Sequence, residues 1–287
     1  MPVRIDLHAH STASDGTDSP AELVAAARAA GVDVLGLTDH DTSTGWAQAA
    51  AVAVQTGVSL VRGAEITCAG RPGTLHLLGY LFDPDEDELR REMDLARGDR
   101  VPRAAEIVRR LAEAGYPVTM QAVLDQTADA ATLGRPHIAD ALVAAGAFPD
   151  RDTAFAEVLY DGSPYYVGHY AVEPARAVRL VRASGGVPVL AHPRARAGVS
   201  DELIAQLASA GLAGLEVDHP EHSAADRAHL GGLARDLGLL ATGSSDYHGR
   251  GKPARLGQER TDPEVFAALV EQARGPVPVL APARPRA

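Results

Sequence analysis

The chain opens with the stretch Ile5-Asp6-Leu7-His8-Ala9-His10-Ser11-Thr12-Ala13-Ser14-Asp15-Gly16, around which the fold is predicted to be built. The alternating run over residues 3–7 is typical of a strand that enters a core. Residues two apart in a strand point to the same side, so His8 and His10 can direct their imidazoles at one point. Neutral imidazole is the commonest protein ligand for transition metals. The stretch therefore predicts a metal site, provided that later strands end in similar residues.

The bulk composition is that of a globular protein. The 287 residues, of which 46% are hydrophobic and 23% charged, can form one large domain or one domain with an insertion. The polar residues soon after Met1 predict no secretory leader, and no apolar run approaches the ~20 residues of a membrane span, so no membrane association is expected. The single cysteine, Cys68, excludes an internal disulfide and favours a cytoplasmic location. A net charge of −11 argues against a stable complex with nucleic acid.

Predicted strands and helices alternate over most of the chain, which indicates an α/β protein with a parallel sheet covered by helices. The predicted strands are residues 3–7, 32–37, 58–62, 74–80, 187–190, 212–217 and 239–243. The predicted helices between them are residues 20–31, 46–55, 174–184, 203–210 and 224–237. Ser19-Pro20-Ala21-Glu22 is typical of a capping box with proline at the first helical position.

The middle of the chain lacks strand signals and is predicted to be helical. The expected helices are residues 86–97, 101–114, 121–131, 136–145 and 151–160. We assign the first to the outer layer of the sheet and predict that residues 96–170 form a helical insertion, a lid over the strand ends that binds substrate. Residues 1–95 and 171–287 then form the main domain, with a loose tail from Pro276 onward. The alternative is that the insertion only pads the main domain.

Histidines and carboxylates collect at or near the predicted strand ends, where active sites form in parallel α/β barrels. They are His8, His10, Asp15, His40, Glu65, His76, His192, Asp246 and His248. One metal takes about four to six ligands, so nine ligands predict two or three divalent ions. Carboxylates can bridge neighbouring cations, and mixed histidine and carboxylate ligands without cysteine suit Mn, Fe or Zn.

These residues resemble the polymerase-and-histidinol-phosphatase (PHP) family of metal-dependent hydrolases. The resemblance is carried by the segments His8-Ala9-His10, Thr38-Asp39-His40-Asp41, Gly63-Ala64-Glu65-Ile66, His76, Ala191-His192-Pro193 and Ser245-Asp246-Tyr247-His248. It covers nearly the whole chain and implies a distorted seven-stranded β/α barrel with an inserted helical subdomain and a trinuclear metal site, for which we expect manganese first.

The resemblance also implies which residues share each ion. The first metal would take His8, His10, Glu65 and Asp246. The second would share Glu65 and add His76 and His192. The third would use Asp15, His40 and His248. These ligands are expected to supply catalysis by holding the ions, and the residues assigned as catalytic are Asp15, His40, Glu65, His192, Asp246 and His248.

Within the family, the similarity is greatest to stand-alone phosphatases that act on AMP, on 3′,5′-nucleoside bisphosphates and in some members on short RNA ends. Those enzymes carry a Gly-Arg-Pro-His segment in a helical insertion, which here is Gly134-Arg135-Pro136-His137. The expected substrate is accordingly a small nucleotide, and a short 5′-phosphorylated oligonucleotide is the other substrate that the resemblance implies. A metal-bound water has a pKa near neutrality, so we expect a bridging hydroxide to attack the phosphorus of a phosphomonoester.

Substrate contacts are predicted from residue chemistry. The planar guanidinium group of arginine can donate two hydrogen bonds to phosphate oxygens. Arg135 and Arg194 are the candidates for this contact. His137, His219 and His222 are candidates for contact with the phosphate or the leaving group, and the sequence does not rank them. Tyr165 and Tyr166 could stack on a base of the substrate, but a role in packing of the protein interior is favoured for both.

Two other functions stay open from the sequence. One is metal-dependent hydrolysis of an amide or ester, as in amidohydrolases, whose barrels also begin with His-x-His. The third-metal residues Asp15, His40 and His248 argue against it, as does the scarcity of lysine for carbamylation, since Lys252 is the only one. The other is a non-catalytic nucleotide-sensing module, against which the complete ligand set argues.

Overall fold

The structure is a computed structural model that describes residues 3–70, 73–127, 133–195 and 198–281. Seven strands form one sheet in chain order. They are β1 (Ile5–Ala9), β2 (Val34–Leu37), β3 (Ser59–Ala69), β4 (Thr74–Tyr80), β5 (Val187–Leu190), β6 (Gly214–Asp218) and β7 (Leu240–Gly243). A parallel bridge between Ala9 and Tyr247 links the two ends of this order, so the sheet is a nearly closed barrel. The predicted seven-stranded barrel is therefore confirmed.

The prediction of a parallel sheet is wrong at one strand. Strand β4 runs antiparallel to both β3 and β5, whereas the other neighbouring pairs are parallel. The reason is the connection: β3 ends at residue 69 and β4 begins at residue 74, which leaves no room for a crossover helix. Strand β3 was predicted to end at residue 62, but it continues to residue 69 because its second half pairs with β4.

Helices cover the outside of the barrel. They are α1 (Pro20–Ala29), α2 (Trp46–Thr56), α7 (Pro174–Ala183), α8 (Asp201–Ser209), α9 (Ala224–Leu237) and α10 (Pro263–Gln272). The capping box predicted for α1 is present, with the Ser19 side chain accepting from the backbone of Glu22 and the Glu22 side chain accepting from the backbone of Ser19. The apolar faces of these helices pack on the strands in one large core. None of the helices in the described ranges is long and apolar enough to cross a membrane.

The middle of the chain is helical, as predicted, but its helices are divided differently. They are α3 (Asp87–Glu113), α4 (Met120–Leu124), α5 (Arg135–Ala144) and α6 (Arg151–Ala154), which continues as a π-helical turn at Phe155–Leu159. The two helices predicted over residues 86–114 are one helix that continues through Pro102. Residues 128–131 of the helix predicted at 121–131 lie outside the described residues.

Helix α3 connects two hydrophobic cores. Its first half contributes Leu89 and Met93 to the barrel core. Its second half contributes Ile107 and Leu111 to a separate cluster whose buried members all lie between residues 104 and 159. The predicted boundary at residues 95 and 96 therefore falls inside a continuous helix. The division into a barrel and a lid stays a prediction.

The predicted loose tail is wrong for its first residues. Leu280 forms an antiparallel bridge with Leu60 of β3, and Val277 is buried. The Arg62 guanidinium donates to the carbonyl of Pro278 at 3.2 Å. Residues 282–287 of the predicted tail lie outside the described residues.

Candidate metal centre

The structure brings the nine predicted ligands together at one end of the barrel. Their nitrogen and oxygen atoms fall into three overlapping groups that could each hold an ion. The groups are His8, His10 and Asp246; then His40, Glu65 and His76; then His10, Asp15, His40 and His248. His192 joins the second group, since its Nε2 lies 3.0 Å from Glu65 Oε1.

Glu65 lies next to the first group, so that two imidazoles and two carboxylates surround one point. His8 Nε2 and His10 Nε2 are 3.0 Å apart. Each lies 3.4 Å from Asp246 Oδ1, and they lie 3.4 and 3.1 Å from Glu65 Oε2. Ligand atoms around a tetrahedral ion with bonds of about 2.1 Å are about 3.4 Å apart. The four side chains therefore have the spacing of a metal site.

Hydrogen bonds on the far side of each ring support this assignment. His8 Nδ1 donates to Glu216 Oε1 at 3.1 Å. The Ser14 hydroxyl donates to Asp39 at 2.7 Å, so it accepts from His10 Nδ1, which lies 3.3 Å away. With both Nδ1 atoms engaged in these bonds, the two rings turn their Nε2 atoms toward each other at 3.0 Å. Such a contact requires a proton or a metal ion between the two nitrogens, and a metal ion that displaced the proton could bind both, so these residues fit a metal ion.

Glu65 lies at the centre of the cluster and has the geometry of a bridging carboxylate. Its Oε2 faces His8, His10 and also His40 Nδ1, which is 3.2 Å away. Its Oε1 faces His76 Nδ1 at 2.8 Å and His192 Nε2 at 3.0 Å. Because the two oxygens face different sets of imidazoles, Glu65 can serve two ions at once.

Asp15 occupies the third group. Its Oδ1 lies 3.3 Å from His248 Nε2, and its Oδ2 lies 3.8 Å from His40 Nε2. The rings of His10 and His248 stack with centroids 4.0 Å apart, so this group lies next to the first one. His40 stands between the groups, with one nitrogen toward Glu65 and the other toward Asp15.

Electrostatics in the cluster favour cations. Burial disfavours the charge of Glu65, but the surrounding imidazoles of His76, His40 and His8 outweigh it and hold the pKa of Glu65 well below its ordinary value. Burial opposes protonation of His10 as well, but hydrogen bonds and charge from Asp246 and Glu65 raise its pKa to about 9. The carboxylates that raise the pKa of His10 would attract divalent ions in the same way.

A second set of buried acids supports the ligands, and the sequence analysis did not assign them. Glu216 of β6 accepts hydrogen bonds from His8 Nδ1, the backbone of His192 and the Ser244 hydroxyl. Asp39 accepts from Ser11 and Ser14 in the opening loop. The available signal was an acidic residue inside the apolar segment Leu215-Glu216-Val217, because a fully buried acid normally has partners.

Backbone strain is concentrated at the same end of the barrel. Among the described residues, four non-glycine residues have positive φ, and three of them are Asp41, His192 and Asp246, at 52°, 26° and 51°. Such conformations cost of order 1–3 kcal/mol each and cluster at functional sites. His192 and Asp246 are predicted ligands, so their strained backbones fit a requirement for exact side-chain placement.

The cluster forms the floor of a cavity of about 730 Å³. The opposite wall comes from the helical middle of the chain and includes Phe155, Leu159 and Tyr160. Arg135 also lines the cavity, and its Nη1 donates to the Leu159 carbonyl at 2.8 Å and to Asp161 Oδ1 at 2.6 Å. The volume lies within the roughly 300–1,000 Å³ that is typical of small-molecule sites.

Three predicted substrate contacts lie outside the lining of this cavity. Arg194 is paired with Asp201 and the Val199 carbonyl, and its backbone donates to His222 Nε2 at 3.2 Å. His222 Nδ1 donates to the Val217 carbonyl at 2.9 Å, so both ring nitrogens are engaged. His137 accepts from the backbone of Gly134 at 3.1 Å, which fastens the start of α5. For these three residues the contacts favour a structural role.

The other predicted candidates also lie outside the lining of this cavity. Tyr165 packs in the second core against Tyr116, and Tyr166 lies beside Arg103 and Arg135. His219 is buried, and its Nδ1 accepts from the backbone of Glu221 at 3.2 Å, which places the proton on Nε2. That Nε2 lies 3.5 Å from Asp246 Oδ2 and has no hydrogen-bond partner within the described residues.

Comparisons with known proteins agree with this geometry. Residues 6–129 match the PHP domain family. The chain is 34% identical over 254 residues to the 3′,5′-nucleoside bisphosphate phosphatase of Chromobacterium violaceum, covering 88% of this chain and 89% of that protein. It is 32% identical to a 5′-3′ exoribonuclease of Haemophilus influenzae, covering 86% and 91%. A solved structure of a proposed metal-dependent phosphoesterase from Bifidobacterium adolescentis superposes with a TM-score of 0.88 at 35% identity, covering 96% and 99%.

Proposed function

Because the chain belongs to the PHP family of phosphoesterases, we propose that it is a metal-dependent phosphatase that hydrolyses phosphomonoesters of small nucleotides. The observation that carries the proposal is the cluster of six histidines and three carboxylates at the floor of a cavity large enough for a nucleotide. The relatives act on nucleoside bisphosphates or RNA, as their names state, so a nucleotide is the substrate class to test first.

The metal ligands define where the phosphate would bind. We propose that His8, His10, Glu65 and Asp246 hold one ion, that Glu65, His76 and His192 hold another, and that Asp15, His40 and His248 hold a third. Bound divalent ions supply an activated water and neutralise the charge of the phosphate. Glu65 would hold one ion through each of its two oxygens, and the buried acids behind the rings fix the orientation of the imidazoles.

The wall opposite the metal cluster would bind the rest of the substrate. Phe155, Leu159 and Tyr160 provide apolar surface suited to a nucleoside, and the Tyr160 side chain is exposed to the cavity region rather than packed in a core. Arg135 stands on the same wall, held by the Leu159 carbonyl and Asp161. We assign it to the substrate phosphate, because its planar guanidinium suits phosphate oxygens.

The proposal is tested by phosphate release from AMP, 3′,5′-nucleoside bisphosphates, histidinol phosphate and 5′-phosphorylated dinucleotides, together with simple amides. The protein is chelated and then reloaded with Mn²⁺, Fe²⁺ or Zn²⁺, and its metal content is measured by elemental analysis. We expect turnover of mononucleotides only in the metal-loaded protein, with Mn²⁺ the most effective ion. Full turnover after complete metal removal, or hydrolysis of amides alone, would refute the proposal.

Removal of the Arg135 guanidinium should weaken substrate binding while leaving the ions in place. For Arg135→Ala we expect KM for nucleotides to rise about tenfold, because charge-assisted hydrogen bonds contribute about 1.5–3 kcal/mol. Metal content should stay at the wild-type value. The matched control is Arg255→Ala, which removes an exposed arginine outside the cavity lining. Wild-type KM on every phosphorylated substrate would exclude Arg135 from the site.

A further inference from the structure

Lys252 is the single lysine of the chain, and it lies beside the predicted metal ligands. It is the only lysine among 27 basic residues, and it lines the main cavity just after the short helical turn Gly249–Gly251. Its side chain is 33% exposed, so the ammonium group stands at the boundary between the metal cluster and the open cavity. Every other basic residue on the surface is arginine, which makes this one ammonium group chemically distinct.

Asp246 divides its two oxygens between the metal cluster and Lys252. Its Oδ1 faces the imidazoles of His8 and His10 at 3.4 Å each. Its Oδ2 accepts a hydrogen bond from Lys252 Nζ at 2.5 Å and lies 3.5 Å from His219 Nε2. An ion held through Oδ1 therefore leaves the contact between Oδ2 and Lys252 intact. The carboxylate can orient the ammonium group and serve the metal at the same time.

The ammonium group has more donors than this contact uses. A protonated lysine carries three N–H donors and no acceptor. Within the part of the chain that the structure describes, Asp246 Oδ2 is the hydrogen-bond acceptor that Lys252 Nζ meets. Two donors thus remain at the edge of a cavity that Arg135 also lines. Two cationic groups that line one cavity with the predicted metal ligands suit a dianionic phosphate.

We propose that Lys252 is a phosphate-binding residue, which Asp246 holds in place so that its free N–H donors bind a phosphate oxygen of the substrate. This inference rests on the proposed function, because it assigns Lys252 to the substrate of that same site. Lys252 binds from the β7 side of the cavity, and Arg135 binds from the helical side. The alternative role, charge compensation for Asp246 alone, predicts no effect on phosphate binding.

The first test measures the binding of inorganic phosphate to metal-loaded protein by isothermal titration calorimetry. We expect Lys252→Met to raise the Kd of phosphate and the KM of nucleotides about tenfold or more, with a smaller change in kcat. Lys252→Arg should restore most of the loss, because it restores a cation. The control Arg255→Met removes an exposed positive charge three residues away and should bind phosphate as the wild type does.

The second test uses the wild-type chain, since Lys252 contacts a predicted metal ligand and its replacement could change metal content. Biosynthetic incorporation of ¹³Cε-lysine labels the single lysine and leaves its three N–H donors intact. In Zn²⁺-loaded protein, added phosphate should shift the lysine ¹³Cε NMR signal, whereas chloride at the same ionic strength should leave it unchanged. An unmoved lysine signal overturns the inference, whether or not Lys252→Met keeps its ions. So does a Lys252→Met protein with wild-type metal content and wild-type phosphate affinity.

The two proposals fail in different ways. If the metal-loaded wild type hydrolyses no phosphomonoester, the proposed function is wrong, even if phosphate shifts the Lys252 signal. If the wild type hydrolyses nucleotides but phosphate leaves that signal unmoved, only the assignment of Lys252 is wrong.

Discussion

Glu65→Gln is expected to lower phosphatase turnover by about three orders of magnitude or more and to remove at least one metal ion per chain. The carboxylate is buried, and its two oxygens face the imidazoles of His8, His10 and His40 on one side and of His76 and His192 on the other. Glutamine keeps the shape but loses the charge and replaces one acceptor oxygen by a donor. It cannot offset the repulsion between two neighbouring dications. A loss of about 4 kcal/mol corresponds to a thousandfold in rate.

The measurement pairs nucleotide turnover with elemental analysis and circular dichroism of the purified variant. The matched control is Glu271→Gln, which makes the same chemical change at an exposed position of α10 outside the cavity lining. We expect the control to keep wild-type turnover and metal content. A folded Glu65→Gln protein with full metal content and normal turnover would rule out a bridging role for this carboxylate.

The alternation of strands and helices and the gathering of polar side chains could be predicted because both depend on short-range patterns, whereas the closure into a seven-stranded barrel was implied by the family resemblance. Most of the predicted ligands lie in or just after an apolar run, and parallel neighbours in a barrel bring such positions to the same end. The exceptions are Asp15, in the loop after β1, and His76, near the start of the antiparallel strand β4. His8 and His10 needed only the two-residue period of a strand to face one point. The direction of β4 was harder, because it depends on the length of the link from residue 69 to residue 74 rather than on the pattern within the strand.

The supporting and substrate-binding residues were harder to predict because their partners are far apart in the chain. Arg194 and His222 both follow strands, as the ligands do, but they bond to each other across 28 positions and lie outside the cavity lining. Glu216 bonds to His8, which is 208 positions away. A pattern within one strand contains no information about such a pair, and only the chain's path around the barrel brings the two together.

The strained backbone conformations could not be predicted from the sequence for the same reason. Asp246 and His192 adopt positive φ although neither is glycine, and local propensity would predict ordinary extended backbone there. The contacts that hold them come from other strands, since the backbone of His192 donates to Glu216 of β6 at 2.7 Å and Asp246 Oδ1 lies 3.4 Å from His8 Nε2 of β1. The chain thus places its least favourable conformations where the metal cluster needs them, at a cost that the rest of the core offsets.

Glu216→Gln is expected to weaken metal binding about a hundredfold without replacing any predicted ligand. Glu216 is fully buried, and it accepts from the His8 ring and from the backbone of His192, so it supports a predicted ligand of each of two ions. Burial opposes its charge, but His8 above all outweighs the burial and lowers the pKa of Glu216 to about 2. A charged acceptor behind an imidazole fixes its tautomer and strengthens its donation to a metal, an effect of about 10- to 100-fold in affinity. Glutamine would keep the volume but lose the charge.

The Glu216→Gln experiment measures the Kd of Mn²⁺ and Zn²⁺ by competition with a chelating dye, alongside turnover at saturating metal. We expect weaker binding of both ions and partial recovery of turnover when excess metal is supplied, because the nine predicted ligands are all still present. Glu65→Gln should not recover in this way, since it lacks a ligand. The control is Glu259→Gln, which makes the same chemical change at an acid that pairs with Arg227 and lies outside the cavity lining. Wild-type metal affinity in Glu216→Gln would show that the orientation of His8 depends on strand β1 alone.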